Sequence, residues 1–169
     1  MSRRRLAVRL ALAGGALLLA GALYFSLARA ELLVLDAKAD RVLFRARVQP
    51  GDRFTLSYRH SVAKSRVSGV FEVTPEYAIS VKETAFGSFG PGLPDPRPGD
   101  DYEIKGGVIR LRNLNQTLPE LSLFVHPYTE HEVEIGGRRL DLSNAVPPGS
   151  LVKIVVRKPF GLSRRAPAR

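Results

Sequence analysis

Few side chains in this 169-residue sequence carry reactive chemistry: three histidines, His60, His126 and His131, some serines beside turns, and no cysteine. His60, in "YRHSVAKS", shares the parity of Phe54, Leu56 and Tyr58. A strand through them aims it at the core side, just where the alternation stops. A histidine there serves either as a structural group hydrogen-bonded to a neighbouring loop or as the wall of a pocket. His126 and His131 flank "HPYTEH", with Glu130 and Glu132 beside them, which invites a metal reading. Pro127 forbids a helix, and an odd spacing in an extended segment puts the two rings on opposite faces. No metal site and no cofactor is expected. Ser61 follows His60, but adjacent strand residues point oppositely. Ser88, in "AFGSFG", has Phe86 where a nucleophile elbow needs glycine. A histidine–serine hydrolase is therefore the weakest reading, and no catalytic residue is assigned.

Ser88 instead opens a stiff turn, "SFGPGLP". Gly90 and Gly92 free the backbone for positive φ, and Pro91 between them fixes φ near −65°. A turn of this kind can aim a row of backbone N–H groups at an anion. Phe89 and Leu93 add apolar contact; a sheet-edge turn packed by Phe89 is the plainer alternative.

The elements that position these residues are strands. Val42 to Val48 and Phe54 to Tyr58 alternate apolar and polar, separated by Pro50-Gly51-Asp52. Phe71 and Val73 lead into Thr74-Pro75-Glu76, and Tyr77, Ile79 and Val81 resume the pattern. Later runs are Val108–Arg112, Leu121–Val125, Glu132–Ile135, Arg138–Leu142 and Leu151–Val156. Gly136-Gly137 reads as a two-residue hairpin turn. Residues 91–107 read as a long loop with no regular element. No stretch after residue 31 has a helical period. The expected fold is all-β, an antiparallel β-sandwich or partly open barrel, preceded by one N-terminal hydrophobic helix.

The net charge of +10 belongs to the chain ends. Residues 31–157 hold 17 of the 26 basic residues and all 16 acidic ones, a net of +1, so a nucleic-acid footprint is unsupported. Arg3, Arg4, Arg5 and Arg9 precede an uncharged run from Leu10 to Ala28. Nineteen residues at about 1.5 Å each approach the thickness of a bilayer core. The leading arginines hold that side in the cytoplasm, so the domain after it lies outside. The run exceeds a typical signal core, which favours a retained single-pass anchor in the cytoplasmic membrane over cleavage after Ala30 and release to the periplasm. Residues 1–30 thus form a basic N-terminus and anchor, 31–157 an extracytoplasmic β domain, and 158–169 a basic flexible tail.

"Y-x-H-S-V" at Tyr58–Val62, followed by "S-F-G-x-G-L-P" at Ser88–Pro94, resembles the domain-of-unknown-function family catalogued as 1850, over roughly residues 32–157. The resemblance implies a small exported or membrane-anchored protein whose gene lies beside those of TAXI-type tripartite ATP-independent periplasmic (TRAP) transporters. It marks His60, Ser61, Lys64, Ser88, Phe89, Gly90, Gly92 and Pro94 as binding positions. Members often carry acids where Ala63, Ser68 and Gly69 stand in this chain. The expected function is an accessory interaction protein that contacts the TRAP permease or its solute-binding protein. The alternative is a small-ligand (carboxylate or anion) binding protein of the cell envelope.

Overall fold

The computed structural model describes residues 12–21, 30–88 and 93–158. Residues 30–157 make one compact unit. Its strands are β1 (Ala30–Asp36), β2 (Arg41–Val48), β3 (Arg53–Arg59), β4 (Arg66–Val73), β5 (Ile79–Phe86) and β6 (Asp101–Lys105). Then follow β7 (Val108–Arg112), β8 (Gln116–Leu118), β9 (Glu120–Val125), β10 (Glu132–Ile135), β11 (Arg138–Asp141) and β12 (Ser150–Arg157). The smaller sheet runs β2-β1-β12-β9 and the larger runs β11-β10-β3-β4-β5-β7-β6, with β8 also on β5; every pairing is antiparallel. Neither sheet closes on itself, so the fold is the expected sandwich and not a barrel.

The inward parity of both sheets supplies the main core: Leu32 and Val34 from β1, Val152 and Ile154 from β12, facing Phe54, Leu56, Phe71 and Ile79. A β-bulge shapes the larger sheet. Val70 pairs with Glu83 while Phe71 pairs with Val81, leaving Lys82 as the extra residue. The bulge keeps Ile79 and Val81 inward and then turns Thr84 and Phe86 to that same face. Strict alternation would have turned Glu83 inward instead. Gly69 makes room on this face. A Cβ at that position would lie 2.7 and 2.8 Å from two ring carbons of Phe71, which stacks on Phe54 at 5.1 Å.

Two expectations need correction. Residues 101–105 are a strand, because β6 pairs with β7 although every one of its residues is exposed. Tyr77 does not begin β5; at φ 63° it sits in the turn before it, closed by its own N–H on Thr74 O. β1 joins the fold as an unbroken apolar run, the signature of a strand buried within a sheet. The Gly136-Gly137 hairpin is present, with φ of 56° and 73°.

The described part of the amino-terminal run is a ten-residue helix, α1 (12–21), about 15 Å long. Among the described residues no helix is long and apolar enough to cross a membrane. The rest of the run 10–28, and the tail after Lys158, lie outside the described residues.

The chain ends give the unit a polarity. Ala30 pairs with Val48 and Glu31 with Arg157, so the chain enters and leaves at one end, beside the Gln49–Asp52 turn. β3 starts at that end, and its seven residues carry His60 about 23 Å away to the opposite end. Gly69→Ala forces the Phe71 ring out of the core. We expect it to lower the unfolding free energy by about 1–3 kcal/mol, read by urea denaturation, whereas unchanged stability would show that the ring yields freely.

Candidate functional site

His60 follows the last residue of β3 and opens the hairpin loop to β4. Its Nδ1 accepts the N–H groups of Val62 and Ala63, at 3.3 and 3.0 Å. Its carbonyl accepts from Lys64 N–H, and its own N–H donates to Ser65 O. The imidazole thus caps a tight turn whose last bend puts Lys64 at φ 56°. Ser61 and Lys64 are exposed. Ser88 Oγ lies 3.3 Å from Ser65 Oγ, so the structure brings the two sequence motifs together through this serine pair. Neither Ser61 nor Ser88 bonds a histidine among the described residues. Phe89, Gly90 and Gly92 lie outside the described residues. Pro94 lies on the far side of that loop, beside Leu93.

The main concavity begins where the smaller sheet stops covering the larger. Leu56 and Tyr58 of β3, Gly69 and Phe71 of β4, and Val81 and Thr84 of β5 form the floor of a cleft of about 560 Å³. Leu93 and Pro94 form one wall, and Leu114 and Gln116 another. The volume lies in the range of small-ligand sites. Among the described residues no charged side chain lines it, and the polar groups are the hydroxyls of Tyr58 and Thr84 and the amide of Gln116. Burial pushes the Tyr58 phenol above its ordinary value. Next to the cleft, Val67, Phe86, Ile109 and Leu111 form a second apolar cluster, against which Tyr58, Leu93 and Leu114 pack. Of the five expected positions among the described residues, Pro94 alone lines this cleft. Its floor was legible as inward parity on β3 and β4, but its emptiness depends on sheet width and on Gly69, which alternation does not report.

Behind Tyr58 stands a network that spacing alone did not reveal. The His131 ring is buried and stacks on Tyr58 at 5.1 Å, with 14° between the planes. His126 caps a 3-10 turn, Pro127–Thr129, in which Pro127 takes the position where no N–H is needed. Thr129 Oγ1 donates to His126 O at 2.6 Å and accepts His126 N–H at 3.1 Å. Its single proton is thereby used, so the 2.8 Å contact with His131 Nδ1 makes that nitrogen the donor and fixes the tautomer. Ser143 Oγ accepts His131 N–H and donates to His126 O, tying in the short helix α2 (Leu142–Ala145). Glu130 lies within 3.7 Å of both Arg59 and Arg66, which clamps the turn to the β3–β4 hairpin. Among the described residues no group of three or more histidine or acidic side chains is placed to hold a metal.

Desolvation lowers the His131 pKa to about 4, against about 6.5 in an unfolded chain. Between those values the unfolded chain binds the extra proton. Stability is therefore full above pH 6.5, falls as the pH drops toward 4, and levels off below it. Glu72 and Glu120, held low by hydrogen bonds from Arg53 and Lys153 respectively, act only below 4.5. His131→Gln is expected to flatten the decline between pH 6.5 and 4.5 in urea unfolding; a slope equal to that of the wild type would assign the decline to another group.

The comparisons bear on the same strands. The family described as Domain of unknown function (DUF1850) matches residues 54–142, just over half of the chain. The match spans β3 to the start of α2, and with it the cleft floor, both motifs and the His131 network apart from Ser143. It leaves out the smaller sheet except β9, a narrower span than residues 32–157. No curated protein and no solved structure gives a significant match. By the extent of that match, the chain belongs to the DUF1850 family.

Proposed function

We propose that this chain is a membrane-tethered, extracytoplasmic binding domain that holds a small, chiefly apolar solute in the cleft under Leu93 and Pro94. In this reading it serves a TAXI-type TRAP transporter as an accessory protein. The observation that carries the reading is the cleft itself: about 560 Å³, open, walled by apolar groups and supplied with three neutral polar ones. A carboxylate seated deep inside would meet no cation, so any charge on the ligand stays at the mouth, where the desolvation cost is small. His60, Ser61 and Lys64 stand at the end of the β unit remote from Ala30, and in this reading that end is offered to a permease or a solute-binding protein. Retention of the tether is supported by Ala30, which is buried and paired with Val48; cleavage after it would strip a residue from β1.

A thermal-shift panel tests the reading, with neutral aromatic and branched aliphatic compounds set against small carboxylates. A ligand at a hundredfold over its Kd should add about 2.7 kcal/mol of stability. Thr84→Phe, which fills the cleft from its floor, should abolish the shift while the circular dichroism spectrum is retained. A panel in which no neutral compound shifts the wild type would sink the proposal, and a shift that persists in Thr84→Phe would move the site elsewhere.

A further inference from the structure

The end at which the chain enters and leaves carries a second concavity, of about 320 Å³, between the β2 edge and the β10–β11 hairpin. Arg47, Arg53 and Arg138 line it, together with one carboxylate, Asp52. The carboxylate is engaged in its own turn, accepting Gln49 N–H at 2.9 Å. Arg53 is paired with Glu72 at 3.0 Å, and neighbouring Arg45 with Glu31 at 3.6 Å. Arg138 lies over the Phe44 ring at 4.4 Å and donates to Arg45 O, with no carboxylate beside it. The exposed guanidinium of Arg47 has no ion-pair or hydrogen-bond partner among the described residues. Arg47 and Arg138 are therefore the guanidinium groups of this pocket that no carboxylate pairs with directly among the described residues, and with Asp52 counted against them the lining keeps a net positive charge.

Their position gives the cluster a partner. Arg47 stands opposite Glu31, three residues beyond the last residue of the apolar run at Ala28. We propose that this arginine pocket is a docking surface for the phosphate headgroups of anionic lipids, which seats the domain on the bilayer that holds its tether. The proposal rests on the anchor in the reading above but not on the cleft. Guanidinium forks match phosphate oxygens in pairs. An anionic leaflet attracts each such charge enough to change partitioning about fivefold. Facing this end to the lipid leaves the His60 turn at the end directed away from it.

The full chain in lipid nanodiscs tests the proposal. The sequence has no cysteine, so Gln49→Cys carries a single fluorophore at the basic end and Ser61→Cys one at the other. A headgroup-attached quencher should quench position 49 more strongly in discs containing phosphatidylglycerol than in phosphatidylcholine discs, and leave position 61 unchanged. Arg47→Glu, which breaks no contact of the fold, should return quenching to the phosphatidylcholine level, whereas Arg47→Lys should preserve most of it. Equal quenching in both lipids, or quenching that survives Arg47→Glu, overturns the proposal. Reversal by inorganic phosphate at matched ionic strength also overturns it, by assigning the pocket to the free ion. A chain that does not enter the discs removes the anchor alone. Flotation with phosphatidylglycerol vesicles then decides the docking surface, and absence of flotation overturns it.

Discussion

The larger sheet has more apolar inner face than the smaller one can cover. Seven strands in sequence across it span about 29 Å, and four span about 14 Å. The overlap is diagonal: Phe54, Leu56, Phe71 and Ile79 fall beneath the smaller sheet, while Val67, Phe86, Ile109 and Leu111 fall outside it. Apolar surface left in water destabilises the fold by about 25 cal/mol per Å², so the uncovered part needs another cover. Leu93 and Leu114, from the connections that flank the β6–β7 hairpin, supply it. They leave the cleft between themselves and the main core, so the cleft follows from an unequal pair of sheets.

The bulge at Lys82 decides what that uncovered face contains. With it, Thr84 and Phe86 share the face of Val67 and Gly69; without it, Glu83 would take the place of Thr84. A carboxylate there would be half-buried without a cation, at a cost that an apolar cleft cannot offset. Outside, Glu83 instead pairs with Arg110 at 3.1 Å. One inserted residue thus separates a charged outer surface from an uncharged inner one along a single strand.

Much of this fold was legible in the sequence, because a half-buried strand writes its environment at period two. β2, β3, β7, β10 and β12 are where the alternation puts them, and Gly136-Gly137 marks its hairpin. β6 was hidden because an edge strand exposed along its whole length has no apolar face to show. The site was less legible. Parity brought His60 to the end of β3 but could not show that its Nδ1 is occupied by the backbone of its own turn. Spacing argued against His126 and His131 as a metal pair but could not show what joins them. Their real relation runs through Thr129 and Ser143, across a 3-10 turn that reverses the chain between them. Sheet coverage is set by pairings across the whole chain, so no local window contains it.

The histidine network and the cleft are mechanically joined by one ring. Tyr58 shows one side to the cleft and stacks its ring on His131, whose tautomer Thr129 sets at Nδ1 and whose backbone N–H Ser143 holds. A neutral imidazole stacks on a phenol at no electrostatic cost, and protonation would place a cation among groups whose donors and acceptors are already used. Displacing His131 would therefore displace the wall of the cleft, because close-packed interiors transmit such shifts instead of absorbing them. Exposed ion pairs from Glu130 to Arg59 and Arg66 link the same turn to the β3–β4 hairpin. Cleft wall, buried histidine and motif hairpin thus meet at one corner of the sandwich.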